Sequence, residues 1–102
     1  MSLLNLLGKR PTIAQGLEEY KNTPGAVLLD VRTPQEYAQG HLPGSVNLPL
    51  DRIQTIAVDK DAPLFVYCLS GGRSQQACGW LSKQGYQAKN IGGVSGYNGS
   101  LE

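Results

Sequence analysis

Two stretches of the chain, Ala26-Val27-Leu28-Leu29-Asp30-Val31 and Leu64-Phe65-Val66-Tyr67, are apolar almost without interruption. Runs of that length lacking polar alternation predict strands covered on both faces. Helical spacing stands between and around them. Ile13, Leu17 and Tyr20 recur at i, i+4 and i+7, predicting a short amphipathic helix closed by Asn22 to Gly25. Thr33-Pro34-Gln35-Glu36 reads as a helix start, with Thr33 as N-cap, Pro34 at the first helical position and Glu36 completing a capping box. Gly40 ends that helix. Ser45 to Leu48 reads as a short strand closed by Pro49, and Leu50 to Ile56 as a brief helix. A longer helix is expected from about Ser74 to Gln84, with Ala77, Trp80 and Leu81 inward and Gly85 as its C′ residue. Ala88 to Ile91 supplies the last strand before Gly92-Gly93. Strands alternating with helices predict an α/β domain with a mainly parallel sheet. Sites in such sheets lie outside the carboxyl ends of the strands, where Cys68 stands at one end and Asp30 with Arg32 at another.

Composition narrows the class. The 102 residues leave room for one compact domain, and 40% apolar against 17% charged residues support a packed core. A formal charge of +1 lacks the basic excess of a nucleic-acid binder. No stretch approaches the roughly 20 apolar residues of a membrane span. Residues 1–11 are expected to be an extension and residues 12–102 the domain. Within the extension, Met1-Ser2-Leu3 reads as an expression scar, and the basic residues follow the apolar ones, the wrong order for a secretory signal. Cys68 and Cys78 could form at most one bridge, which is no disulfide framework. With one His and no Cys-x-x-Cys, no structural zinc is expected. A reducing compartment, the cytoplasm, is the expectation.

The chemistry concentrates after the second apolar run, in Cys68-Leu69-Ser70-Gly71-Gly72-Arg73-Ser74. A strand–loop–helix of this kind curls backbone N–H groups around one point and adds the positive end of a helix dipole. A cysteine reaching into such a cradle is held as a thiolate. Gly71 and Gly72 permit positive φ and close approach to an anion, Arg73 supplies a cation, and Ser70 and Ser74 supply hydroxyls. Against this stands the plain alternative of a strand-end cysteine acting as a small buried hydrophobe. The glycine pair, the arginine and the helix start favour an activated sulfur nucleophile. Phosphate-binding loops share the geometry.

The chain resembles the single-domain rhodaneses, a sulfurtransferase family, from about Thr12 to Tyr97. The resemblance is carried by Asp30-Val31-Arg32, Glu36-Tyr37, Gly40-His41, Gly44-Ser45 and Asn47-Leu48-Pro49, in order and spacing, and by the loop Cys68-Leu69-Ser70-Gly71-Gly72-Arg73. It implies a rhodanese-like three-layer sandwich, a five-stranded mainly parallel sheet flanked by helices on both faces. It also implies that Cys68 accepts a sulfane sulfur as a persulfide and passes it to a thiophilic acceptor. The donor would be thiosulfate or another small-molecule or protein persulfide, and the acceptor a thiol or cyanide. The backbone N–H groups of Leu69 through Arg73 would stabilise the sulfur anion, with no metal or organic cofactor required. Related cell-cycle phosphatases use a Cys-x5-Arg loop; the Cys-x4-Arg loop here makes a smaller ring of amides, suited to one added sulfur. The alternatives are a non-catalytic anion-binding module on the same fold and a cysteine-dependent phosphatase or arsenate reductase. Two positions depart from common members. Leu69 stands where some thiosulfate-using relatives carry a basic residue, and Tyr97 where a tryptophan is more usual.

Four further positions have two readings each. Asp30 and Arg32 either orient the loop or contact an anionic donor, or else form a structural ion pair, for which Glu36 is one candidate partner of Arg32. His41 is read as stabilising its own turn, since an attacking thiolate needs no general base. Cys78 lies a turn or more along the helix from the loop, too far to bridge Cys68 easily, and is read as a packing residue, the alternative being a resolving thiol.

Overall fold

The computed structural model describes residues 12–102, so the expected extension at 1–11 lies outside the described residues. Helix α1 spans Ile13–Lys21, and Thr12 caps it by accepting from the Gln15 N–H while the Gln15 side chain returns to the Thr12 N–H. Strand β1 is Val27–Asp30, α2 is Pro34–Gln39, and β2 is the two-residue Val46–Asn47. A 3-10 turn at Leu50–Thr55 leads to β3, Leu64–Cys68. Then come α3, Gly72–Lys83, β4, Ala88–Gly93, and a 3-10 turn at Val94–Gly96.

Every strand pair is parallel, and the strand order is β2-β1-β3-β4. Among the described residues the sheet has four strands where five were expected. The residue pattern from Thr12 onward contains only four strand-like runs; the fifth was implied by the resemblance alone.

Strand pleating sorts the core into two faces. Leu28, Phe65, Tyr67 and Ile91 point toward Ile13 and Leu17 of α1. Leu29, Val31, Leu64, Val66 and Cys68 point the other way, toward Ala77 and Leu81 of α3 and Ile53 of the 3-10 turn. All five residues of β3 are buried, so its apolar run reflects a central strand covered on both faces.

One consequence of the strand order places the site. From β1 the chain moves outward to β2 and then returns to β3 on the other side of β1, so the topology reverses between β1 and β3. A crevice opens at the carboxyl ends of strands flanking such a switch point. Here those ends are Asp30 and Cys68, which sit one residue apart in register, Asp30 opposite Tyr67.

Candidate active site

Cys68 ends β3 with its side chain buried, and Leu69-Ser70-Gly71 carries the chain into α3. Gly71 takes φ +102°, a left-handed conformation that turns its N–H back on the strand it has just left. That N–H donates to Cys68 Sγ at 3.0 Å, and the Ser74 N–H in the first turn of α3 donates at 3.4 Å. The Ser74 hydroxyl lies 3.4 Å from the same sulfur. Burial opposes ionisation of Cys68. The Ser74 hydroxyl and N–H, with the N–H groups of Gly71 and Ser70, outweigh it and lower the thiol below its ordinary value. Cys78, half-buried on α3 with no such donors, is pushed by burial up to about 11 and stays a thiol.

The helix begins two residues earlier than expected, at Gly72, so Gly72 and Arg73 belong to α3 and not to the loop. This alters the role of Arg73. Its guanidinium makes a two-pronged ion pair with Glu36 of α2, at 2.7 and 2.9 Å, spanning the crevice between the helices that follow β1 and β3. The Arg73 hydrogen bonds and the capping contact with Thr33 hold the Glu36 carboxyl down at about 2. Arg73 therefore reaches the sulfur as a nearby charge whose own carboxylate partner offsets part of its field. Leu69 is 44% exposed, Ser70 and Gly72 also face outward, and neither Leu69, Gly72 nor Arg73 turns an N–H onto Sγ. The ring of amides around the resting sulfur is thus narrower than the five residues Leu69 to Arg73.

Asp30 and Arg32 form a buried ion pair, and Glu36 is not the partner of Arg32. The Asp30 carboxylate accepts from the Arg32 N–H and from its guanidinium at 2.7 to 3.0 Å. Arg32 also donates to the Gly40 carbonyl at 2.7 Å, and Asn47 donates to the carbonyls of both Asp30 and Arg32. The pair organises the turn from β1 into α2, and none of its hydrogen bonds reaches the Cys68 loop. His41 lies flat on the Tyr37 ring, with centroids 3.7 Å apart, and its Nδ1 is 3.0 Å from the Tyr37 carbonyl.

Sequence reasoning missed three participants. Glu36 was legible as a capping residue, whereas its pairing with Arg73 needs the fold to bring α2 and α3 together. Tyr67, fully buried beneath the turn, meets the Leu42 N–H and the Ser45 hydroxyl, each at 3.0 Å, and burial pushes its phenol up to about 12. Asn90, on β4, meets Ser74, Gly71 and Gly92. An Asn two residues before a Gly does signal a side-chain-to-backbone turn, but nothing local connects it to Cys68.

A groove of about 720 Å³ runs beside Arg73, floored by Val31, Pro34, Leu50, Ile53 and Trp80. Among the described residues no three His, Cys, Asp or Glu side chains gather where a metal ion could sit.

A buried cysteine at the end of a central parallel strand, ringed by amides from the loop and first turn of a helix, defines a class of anion-cradling α/β domains. The pattern of the rhodanese-like domain family matches residues 13–100, and the chain belongs to that family. It is 43% identical over 67 residues to a sulfurtransferase of Allochromatium vinosum, covering 64% of this chain and 63% of that protein. It is 44% identical over 78 residues to the thiosulfate sulfurtransferase GlpE of Pseudomonas fluorescens, covering 74% and 68%. The match thus spans about two thirds of the length of these relatives. Among solved structures, a rhodanese-like domain protein from Staphylococcus aureus superimposes with a TM-score of 0.79 at 27% identity, over 90% of this chain and 94% of that one.

Proposed function

We propose that the protein is a sulfurtransferase in which Cys68 carries the sulfur as a persulfide. The observation that carries this reading is the Cys68 sulfur held at 3.0 and 3.4 Å by the N–H groups of Gly71 and Ser74, with only four residues between Cys68 and Arg73. The thiolate attacks the outer sulfur of a donor such as thiosulfate. The donor's S–S bond breaks, sulfite leaves with its electron pair, and a Cys68–S–S⁻ persulfide forms. A thiolate or cyanide then attacks the terminal sulfur, and the Cys68–S bond returns its electrons to Cys68. Two-step transfer through a covalent carrier divides one difficult displacement into two easier ones. The terminal sulfur would extend past the resting position of Sγ, toward the N–H groups of Leu69 through Arg73, which preorganise the site for the charge. Asp30 and Arg32 support it by fixing the β1–α2 turn. The groove beside Arg73 has room for the body of a donor or acceptor. We take residues 12–102 as the transferring unit and the cytoplasm as its compartment, because turnover needs a free Cys68 thiolate.

Intact mass after exposure to thiosulfate, and in parallel to a glutathione persulfide, tests the reading. One added sulfur atom is expected, removable by cyanide and absent from Cys68→Ser. Addition mapping to Cys78, or none with either donor, overturns it.

A further inference from the structure

Around Ser74 one hydrogen faces three acceptors. The Ser74 hydroxyl can donate to Asn90 Oδ1 at 2.7 Å, to the Gly71 carbonyl at 3.1 Å, or to Cys68 Sγ at 3.4 Å. Asn90 is oriented without ambiguity, because the Gly92 N–H, which can only donate, meets Oδ1 at 2.9 Å. Its Nδ2 therefore faces the Gly71 carbonyl, to which it donates at 3.1 Å. The same peptide unit stands next to the Gly71 N–H that holds the sulfur. Asn90 also sits at the register shift between β4 and β3, where Val66 pairs with Asn90 and Tyr67 with Gly92. One side chain thus links the β4 irregularity, the Gly71 peptide and the rotor of Ser74.

We infer that Asn90 is a positioning residue of the Cys68 site, acting on the sulfur through the Ser74 hydroxyl. The proposal rests on the sulfurtransferase reading for its purpose and on this geometry for its substance. While Cys68 is a thiol, Ser74 donates to Asn90 and its oxygen accepts the S–H. When the thiol proton leaves to water, the Ser74 hydrogen swings to the anion, and Asn90 Oδ1 keeps the Gly92 N–H as its donor. The hydroxyl is thus satisfied in both states, with no buried polar atom left unpaired.

The other charged and titratable groups near the sulfur come from the neighbouring elements. Asp30 ends β1 and pairs with Arg32, Glu36 of α2 pairs with Arg73 of α3, and Tyr67 precedes Cys68 on β3. On β4 the only charged side chain is Lys89, whose ammonium pairs with Glu19 of α1. A carboxylate placed at position 90 therefore has a clear background against which to be read.

The test is a pH titration of Cys68 alkylation by iodoacetamide, with Cys78→Ala throughout so that one thiol reports. Asn90→Asp keeps the shape and the Gly92 contact, holds the Ser74 hydrogen more strongly, adds a charge, and replaces the Nδ2 donor to the Gly71 carbonyl with an oxygen. The alkylation midpoint should rise, and the rate at pH 7 should fall roughly tenfold, as for a like charge within about 6 Å. Adding Ser74→Ala removes the relay and leaves the through-space charge and the lost Gly71 contact, so the shift caused by Asn90→Asp should shrink by at least half. A shift that shrinks by less than half without the hydroxyl, or none in either background, overturns the proposal. Sulfur transfer from thiosulfate to cyanide is measured on wild type in parallel. Absent transfer with an intact alkylation cycle would sink the proposed function and leave the role of Asn90 standing.

Discussion

Replacing Gly93 with Ala probes how the cradle is held from behind. Gly93 pairs with Cys68 across the β3–β4 boundary and has φ −120°, ψ 134°, extended backbone that alanine adopts without strain. Any effect is therefore steric. A Cβ there would overlap the Leu69 carbonyl and lie 2.5 Å from Ser70 Cα, against an ordinary contact of 3.4 Å or more, so the loop must retreat by about 1 Å. The Gly71 N–H, at 3.0 Å from Sγ, stands at hydrogen-bonding distance now and would be carried out of reach by a shift of that size. Misplacing a positioned group by about 1 Å can cost roughly 100-fold in rate, near 2.7 kcal/mol at the transition state. Overpacking of this kind lowers folding stability by about 1–3 kcal/mol, so most molecules stay folded. The assay is the rate of Cys68 alkylation together with kcat/KM for sulfur transfer, on protein whose folding is checked by thermal melting. Gly72→Ala is the matched control. A Cβ at Gly72 meets nothing within 4 Å, and the position is helical, so that variant controls for folding and should match or slightly exceed wild-type stability. Wild-type alkylation and transfer rates in Gly93→Ala would refute the view that the glycine seat positions the loop.

Two more substitutions test the surrounding scaffold. Tyr67→Phe removes the acceptor of the buried Leu42 N–H and a partner of Ser45, and should cost about 1–3 kcal/mol, read as a lower urea midpoint at unchanged slope. An unchanged midpoint would mean that the N–H finds another partner. Glu36 titrates near 2 when folded and 4.5 otherwise, chiefly through its hydrogen bonds from Arg73. Its contribution is complete above pH 4.5 and disappears as pH falls from there toward 2. Because the pair is about a third exposed, solvent holds that increment to about 1 kcal/mol. Unfolding free energies measured across this window should converge for wild type and Glu36→Gln at the acid end; a constant gap would contradict the assignment.

Much of this protein is written locally. The apolar runs that become β1 and β3, the Thr33–Glu36 capping box, the turn at Gly40 and the strand–Cys68–glycine–helix unit all depend on neighbours a few residues apart. Backbone conformation, capping and periodic burial act over that range, so one sequence suffices to read them. Helix α3 begins two residues before Ser74, a start the pattern hides because Gly71 and Gly72 look alike as letters while only Gly71 takes positive φ. The partners of the charges were beyond local reading. Arg73 lies 37 residues from Glu36, and Ser74 lies 16 from Asn90. Arg32 could have paired with Glu36 by spacing alone; burial beside Asp30 and the Gly40 carbonyl decided otherwise. Local pattern is enough to read an α/β chain with a cysteine at the end of an apolar strand, followed by a glycine loop and a helix. Packing decides which amides and hydroxyl reach the Cys68 sulfur and that Asn90 holds the hydroxyl, because the strand order sets which loops and strands meet around the end of β3.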